Sequence, residues 1–143
     1  MRIVEADHVS PDLVAAFTRL VNQLSRTSPP PTYDDLEEMV GAPGTRLLLA
    51  VDGGGHIAGS LTLVLFRLPT GVRAWIEDVV VDEGARRQGI GAALTTRAVE
   101  LATQAGARTV DLTSRPSREA ANRLYVKLGF QLRETNVYRL ELD

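Results

Sequence analysis

Val79-Val80-Val81-Asp82-Glu83-Gly84-Ala85-Arg86-Arg87-Gln88-Gly89-Ile90-Gly91, continued by Ala92-Ala93-Leu94, decides how the rest of the chain is read. Three β-branched residues favour a strand. A charged turn follows, and Arg-x-x-Gly-x-Gly then opens an amphipathic helix that carries Ile90, Leu94, Ala98, Leu101 and Ala102 on one face as far as about Gln104. A strand, turn and helix in that order leave free N–H groups at the positive end of a helix dipole, where an anion can sit. Gly89 and Gly91 carry no β-carbon to obstruct a ligand, and Arg86 and Arg87 add full charges beside them. The ligand class this implies is phosphorylated and anionic. The competing reading is that the glycines serve only backbone packing.

Two better-known phosphate motifs do not fit. A Walker-type loop needs Gly-Lys-Ser/Thr after its glycines, which this stretch lacks. A dinucleotide fingerprint needs glycine or alanine three residues after its second glycine, and that position is Leu94. A nest of amides around a diphosphate remains, without the hydroxyl that binds magnesium in ATPases.

The whole chain narrows the setting. Its 143 residues suit one domain, residues 1–143, with a single core, and 44% apolar with 24% charged residues is ordinary for a soluble protein. A net charge of −2 disfavours a broad nucleic-acid surface. The absence of cysteine removes disulfides, thiolate metal sites and a cysteine nucleophile, and His8 and His56 are too few for a histidine-rich metal site. No stretch approaches the roughly 20 apolar residues of a membrane span, and the alternating, acidic start Met1-Arg2-Ile3-Val4-Glu5-Ala6-Asp7 is unlike a signal peptide. The expectation is a cytoplasmic protein with no metal, nucleic-acid or membrane partner.

Outward from the central stretch, Met1 to Glu5 reads as a strand. Ser10 caps a helix with Pro11 in its first turn and Leu13, Phe17, Leu20, Val21 and Leu24 on one face, and Ser28-Pro29-Pro30-Pro31 is expected to end it. Thr32 caps a second helix with Leu36, Met39 and Val40 inside. Thr45 to Val51 and Ile57 to Leu68 form a hairpin around Asp52-Gly53-Gly54-Gly55, and Pro69-Thr70-Gly71 turns into the strand Val72 to Val81. After the central helix, stopped by Gly106, come a short strand Val110 to Thr113, a helix Arg118 to Leu128 capped by Ser117, and two strands, Phe130 to Leu132 and Val137 to Leu142. The order β-α-α-β-β-β-α-β-α-β-β predicts an α/β (α+β) fold with a mixed, partly antiparallel central sheet flanked by helices.

The segment Ile76-Glu77-Asp78-Val79-Val80-Val81 with Arg86-Arg87-Gln88-Gly89-Ile90-Gly91 resembles motif A of the GNAT superfamily of N-acetyltransferases. Ala120-Ala121-Asn122-Arg123-Leu124-Tyr125-Val126-Lys127-Leu128-Gly129-Phe130 resembles its motif B, and the spacing and element order agree along nearly the whole chain. The resemblance implies acetyl-coenzyme A as co-substrate, its pantetheine arm on the backbone of Val79, Val80 and Val81 and its pyrophosphate on the amides from Arg87 through Gln88, Gly89 and Ile90 to Gly91. It also implies that Tyr125 faces the departing thiolate. From spacing alone, Tyr125 reads as a core aromatic. A phenol with a reference pKa near 10 is protonated at neutral pH and can donate to sulfur.

Glu77 and Asp78 are adjacent on a strand, so simple alternation puts Glu77 with Trp75, Val79 and Val81, and Asp78 with Ile76 and Val80. Glu77 is the candidate base for an amine acceptor, acting directly or through water; either acid can instead be a structural partner of Arg73. Family members often carry Asn seven residues before the motif B tyrosine, where this chain has Arg118. Arg115 and Arg118 can pair with coenzyme phosphates or stay solvated at a helix start. The acidic run Tyr33-Asp34-Asp35-Leu36-Glu37-Glu38 favours a cationic acceptor or simply suits a helix N-terminus. The expected function is transfer of acetyl from acetyl-CoA to a primary amine, on a small molecule or peptide, by direct attack. The alternative is a non-catalytic acyl-CoA-binding sensor. A C-terminal strand pairing across a homodimer is left open.

Overall fold

The computed structural model describes residues 1–142. The chain forms two compact units, one from Met1 to Thr113 and one from Ser114 onward. In the first, β1 (Arg2–Glu5), β2 (Thr45–Val51), β3 (Ile57–Leu68) and β4 (Gly71–Val81) form an antiparallel sheet in that spatial order, and β5 (Val110–Asp111) joins β4 in parallel. Between them run α1 (Pro11–Leu24), α2 (Tyr33–Gly41) and α3 (Ile90–Gln104). The second unit holds α4 (Glu119–Lys127). The class is the mixed α/β one expected from the sequence.

Local chemistry accounts for the helix starts. Ser10 Oγ accepts the Leu13 N–H at 3.2 Å, with Pro11 in the first turn. Thr32 and Asp35 exchange reciprocal bonds of 3.1 and 2.9 Å in a capping box. Asp52 Oδ1 takes the N–H groups of Gly54 and His56 at 2.9 and 3.0 Å, closing the β2–β3 turn in which Gly55 has φ +83°.

Residues directly opposite across a ladder share a face. Leu47, Leu49 and Val51 of β2 join Leu13 and Phe17 of α1 and Leu36 of α2 in one buried cluster, so α1 and α2 cover that face. Each such side chain contributes about 1.5–3 kcal/mol by burial. On the other face α3 lies close to β3 because Gly59 has no side chain. A β-carbon there would stand 3.1 Å from Ile90 Cγ2, 3.4 Å from Leu94 Cδ1 and 3.0 Å from the Val80 carbonyl oxygen. Gly59→Ala is therefore expected to destabilise the protein by about 1–3 kcal/mol, measured as a lowered urea midpoint with an unchanged slope.

Three local expectations are corrected. Helix α1 stops at Leu24, ahead of the triple proline, because Ser25 turns extended and its Oγ accepts from the N–H groups of Thr27 and Ser28 at 3.4 and 3.1 Å. Helix α4 starts at Glu119 with Arg118 in the cap position and no side-chain cap, so Ser117 does not cap it. There the Arg118 N–H and Asn122 Nδ2 both donate to the Arg115 carbonyl, at 3.0 and 2.9 Å, closing a turn around Ser117 first. Finally, neither Phe130 to Leu132 nor Val137 to Leu142 is a strand among the described residues. The Phe130 N–H is taken by the Tyr125 carbonyl at 2.9 Å in the C-terminal cap of α4, around Gly129 at φ +101°. Alternation in the remaining segment supplies a strand face but no edge to pair with.

Candidate active site

In the β3–β4 ladder Thr62 faces Glu77 and Ser60 faces Val80, so Leu61 alone stands against both Asp78 and Val79. This is a β-bulge, with Asp78 at φ +51°, a conformation that costs a non-glycine residue about 1 kcal/mol. It shifts the alternation by one. Glu77 and Val80 emerge on the same face, alongside Thr62 and Ser60, which corrects the expected groupings of Val80 with Asp78 and of Glu77 with Val81, since Val81 lies opposite Gly59 on the other face. Trp75 and Glu77 do share a face, and Trp75 Nε1 donates to Glu77 Oε1 at 2.7 Å. Desolvation first, then the neighbouring charge of Glu77, raises the pKa of Asp78 above the usual carboxylate range.

The bulge coincides with a parting of strands. Strand β5 pairs with β4 only at Ala74↔Val110 and Trp75↔Asp111. From Ile76 to Val81 the outer edge of β4 has no strand beside it among the described residues. An extended ligand that carries amides can add to such an edge.

Past Val81 the chain is anchored before it turns. The Asp82 N–H donates to the Ala58 carbonyl at 2.8 Å. Its carboxylate, only 16% exposed, accepts from Arg19 Nε at 2.9 Å and Gln23 Nε2 at 3.1 Å, with His56 Nε2 at 3.3 Å. Arg19 also donates to the Ile57 carbonyl at 2.7 Å, and Gln23 Oε1 accepts the Glu83 N–H at 2.9 Å. One turn of α1 thus fixes the entrance to the loop. The hydrogen bond from Gln23, helped by His56 and Arg19 against burial, holds the Asp82 carboxyl below its ordinary value of 3.8. A depressed native pKa contributes stability that is present above the unfolded value and is lost as pH falls through the native one. Asp82→Asn is accordingly expected to lower stability by about 1–3 kcal/mol at neutral pH. In denaturant titrations across pH, its deficit against the parent protein should shrink below the ordinary carboxylate value.

A single 3-10 turn, Glu83–Ala85, leads to Arg87 at φ +67° and Gly89 at φ +76°. The first hydrogen bond of α3 runs from the Ala93 N–H to the Gly89 carbonyl at 3.0 Å. The N–H groups of Arg86, Arg87, Gln88, Gly89, Ile90, Gly91 and Ala92 have no protein acceptor among the described residues. A β-carbon on Gly89 would meet nothing within 4 Å, so the protein leaves that side of the residue open. The arrangement is a cationic concavity of backbone donors at a helix start. Ile90 contributes only its amide, since its side chain is 2% exposed in the core.

The first unit holds Glu77, Val79 to Val81 and Arg86 to Gly91. Tyr125 and Arg118 belong to the second unit. There Tyr125 is buried and packs edge-on against Phe130, ring centroids 5.8 Å apart. Burial raises its pKa above 10.0 against the opposing effect of the Arg118 charge, so the phenol is protonated at neutral pH. Asn122 is held by the Arg115 carbonyl at 2.9 Å. Neither Arg115 nor Arg118 makes an ion pair among the described residues. In the acidic run of α2, Asp35 is part of the cap and Leu36 is fully buried, which supports the helix-start reading of those charges. Sequence reasoning missed the Arg19–Gln23–His56–Asp82 cluster, because partners about sixty residues apart in sequence leave no local signal. Among the described residues no group of three or more His, Asp or Glu is placed to hold a metal, and no helix is long and apolar enough to cross a membrane.

The sequence model of the Acetyltransferase (GNAT) family matches residues 13–130. The chain belongs to this family. As a GNAT acetyltransferase it is an acyltransferase enzyme. Among solved structures, an acetyltransferase of Trypanosoma brucei is similar at 26% identity, with a TM-score of 0.80 and 99% of each chain covered. A transcriptional regulator from Bacillus halodurans C-125 has the same identity and TM-score, over 99% of this chain and all of that one. An aminoglycoside acetyltransferase from an uncultured soil metagenomic sample, in complex with sisomicin, has a TM-score of 0.85 at 19% identity, over 99% of this chain and 95% of that one, and shares the fold. No curated protein matches the sequence.

Proposed function

We propose that this GNAT chain, working as a single domain over residues 1–143, transfers acetyl from acetyl-CoA to a primary amine by direct attack. The observation that carries the reading is the run of unpaired amides from Arg86 to Ala92 around two left-handed residues. The amides of Arg87, Gln88, Gly89, Ile90 and Gly91 hold the diphosphate of the co-substrate, with Arg86, Arg87 and Arg118 supplying charge. The free edge at Val79, Val80 and Val81 pairs with the amides of the pantetheine arm, and one strand N–H polarises the thioester oxygen.

Glu77, acting through water, removes a proton from the incoming ammonium. The amine nitrogen then bonds to the acetyl carbon, the carbon–sulfur bond breaks, Tyr125 gives its proton to the departing thiolate, and the second proton of the bonded nitrogen passes through water to the Tyr125 phenolate, leaving a neutral amide. Direct attack is favoured because the chain has no cysteine to carry an acyl group. Orientation of both substrates supplies much of the rate. The acceptor class is a small-molecule or peptide amine; the related aminoglycoside acetyltransferase, crystallised with sisomicin, supports a small molecule. A cytoplasmic location follows from the donor, and a second copy of the chain is the further partner, as a homodimer.

The test is a panel of amines incubated with acetyl-CoA while free thiol is monitored. Amine-dependent thiol release is expected. Tight acetyl-CoA binding with no release for any amine class contradicts catalysis and leaves the acyl-CoA sensor.

A further inference from the structure

The unpaired amides hang between two anchored ends. Among the described residues, Ala85 has the only backbone N–H from Gly84 to Ala92 that meets a backbone acceptor, the Asp82 carbonyl at 2.8 Å. The far end is tied by the first turn of α3, and the near end by the peptide that joins Asp82 to Glu83. One side chain grips both residues of that joint. Gln23 Nε2 donates to Asp82 Oδ1 at 3.1 Å, and Gln23 Oε1 accepts the Glu83 N–H at 2.9 Å. A carboxylate only accepts and a backbone N–H only donates, so the two bonds fix which way the Gln23 amide lies. On the other carboxylate oxygen, Arg19 Nε donates to Asp82 Oδ2 at 2.9 Å. Donors and acceptors are thus matched from Arg19 through Asp82 and Gln23 to the loop.

We propose that Gln23 is a positioning residue for the co-substrate, acting through the Asp82–Glu83 joint to hold the loop amides in place before the diphosphate arrives. Ordering a loop on binding subtracts from affinity, so a joint fixed beforehand leaves more of the contact energy for the ligand. Arg87 at φ +67° and Gly89 at φ +76° turn the chain sharply beyond the joint, and a shift there would swing their amides away from a shared anion. Arg19 and His56 cannot take over, because both reach the Asp82 carboxylate and neither bonds the Glu83 N–H. Gln23 therefore links α1 to the loop by a bond pattern that only one donor and one acceptor on the same side chain can supply. This role rests on the loop being the diphosphate site.

Matching donors to acceptors gives the test. Gln23→Glu sets an acceptor against the Asp82 carboxylate. Asp82→Asn, with Arg19 keeping its acceptor, sets a donor against Gln23 Nε2. In Q23E/D82N the amide at position 82 donates to the carboxylate at position 23, which still accepts the Glu83 N–H, and the net charge is that of the parent. By calorimetric titration of the full chain with acetyl-CoA, Gln23→Glu should raise Kd about tenfold and Q23E/D82N should return it to within about threefold. Gln23→Met lacks both groups and adds no charge, so a rise about as large there separates loss of the grip from repulsion of the diphosphate. Gln23 is half-buried near the end of α1, so neither exchange opens the core. Ser10→Ala removes the cap at the other end of the same helix and should lower the melting temperature with Kd unchanged. Parent affinity in both Gln23 variants, no rescue in the double exchange, or an equal loss in Ser10→Ala overturns the positioning role while leaving the diphosphate site. Parent affinity in Gly89→Val overturns both.

Discussion

Tyr125→Phe lowers kcat by about 10²–10⁴-fold, the usual contribution of general acid assistance, while the Kd for acetyl-CoA changes little. Only one oxygen is removed, and the ring that packs against Phe130 stays in place. The pH profile carries an independent signature. Burial raises the Tyr125 pKa above 10.0, so its proton is present across the neutral range and is lost only above that value. The parent enzyme should therefore lose kcat on an alkaline limb beyond pH 10, and that limb should vanish in the Phe variant. The same sign governs stability: a group with a raised native pKa contributes fully below its unfolded value and loses that contribution as pH rises through the native one. Unchanged turnover in Tyr125→Phe would remove this residue from the chemistry.

Gly89→Val should raise the Kd for acetyl-CoA about 100-fold, or about 2.7 kcal/mol. Two effects add. Gly89 sits at φ +76°, where a β-branched residue is strained by about 1–2 kcal/mol. Its side chain would also project into space where nothing lies within 4 Å, on a residue whose own amide is unpaired. Thermal melting and calorimetric titration together separate the two, because strain lowers the melting temperature whereas obstruction weakens only the bound state. Gly54→Val is the control, in a turn where the backbone is not left-handed and only the Asp52 carboxylate is near, at 3.5 Å. Equal affinity in Gly89→Val and the parent would argue that the diphosphate is held elsewhere.

Periodicity and capping chemistry made much of the fold legible. Ser10 and Thr32 cap as their residue types suggest, the Asp52 turn closes the hairpin, and Gly106 at φ +79° ends α3. The turn into α3, with Gly89 left-handed at its end, was legible because its signal is local: glycines and arginines at fixed offsets from a helix start. What failed was whatever depends on a partner outside the window. Alternation along Glu77 to Val81 is broken by a bulge that exists only because Leu61 opposes two residues, which no property of β4 alone announces. Ser25 competes for its own neighbours' N–H groups before the prolines can act. The last two strands have the right pattern, but a strand is a relation between two edges, and the chain described here offers the segment none. The Asp82 cluster is likewise assembled by α1 and the β2–β3 turn from far along the chain.

The most direct measurement is the ¹⁵N–¹H spectrum of the protein titrated with acetyl-CoA and, separately, with ATP. Acetyl-CoA should move the amide proton resonances of Arg87, Gln88, Gly89, Ile90 and Gly91 downfield, as free N–H groups acquire a charged acceptor, with Val79 to Val81 responding along the open edge of β4. Resonances that stay still in that loop while acetyl-CoA binds and shifts residues elsewhere, or that move with ATP alone, would contradict the account.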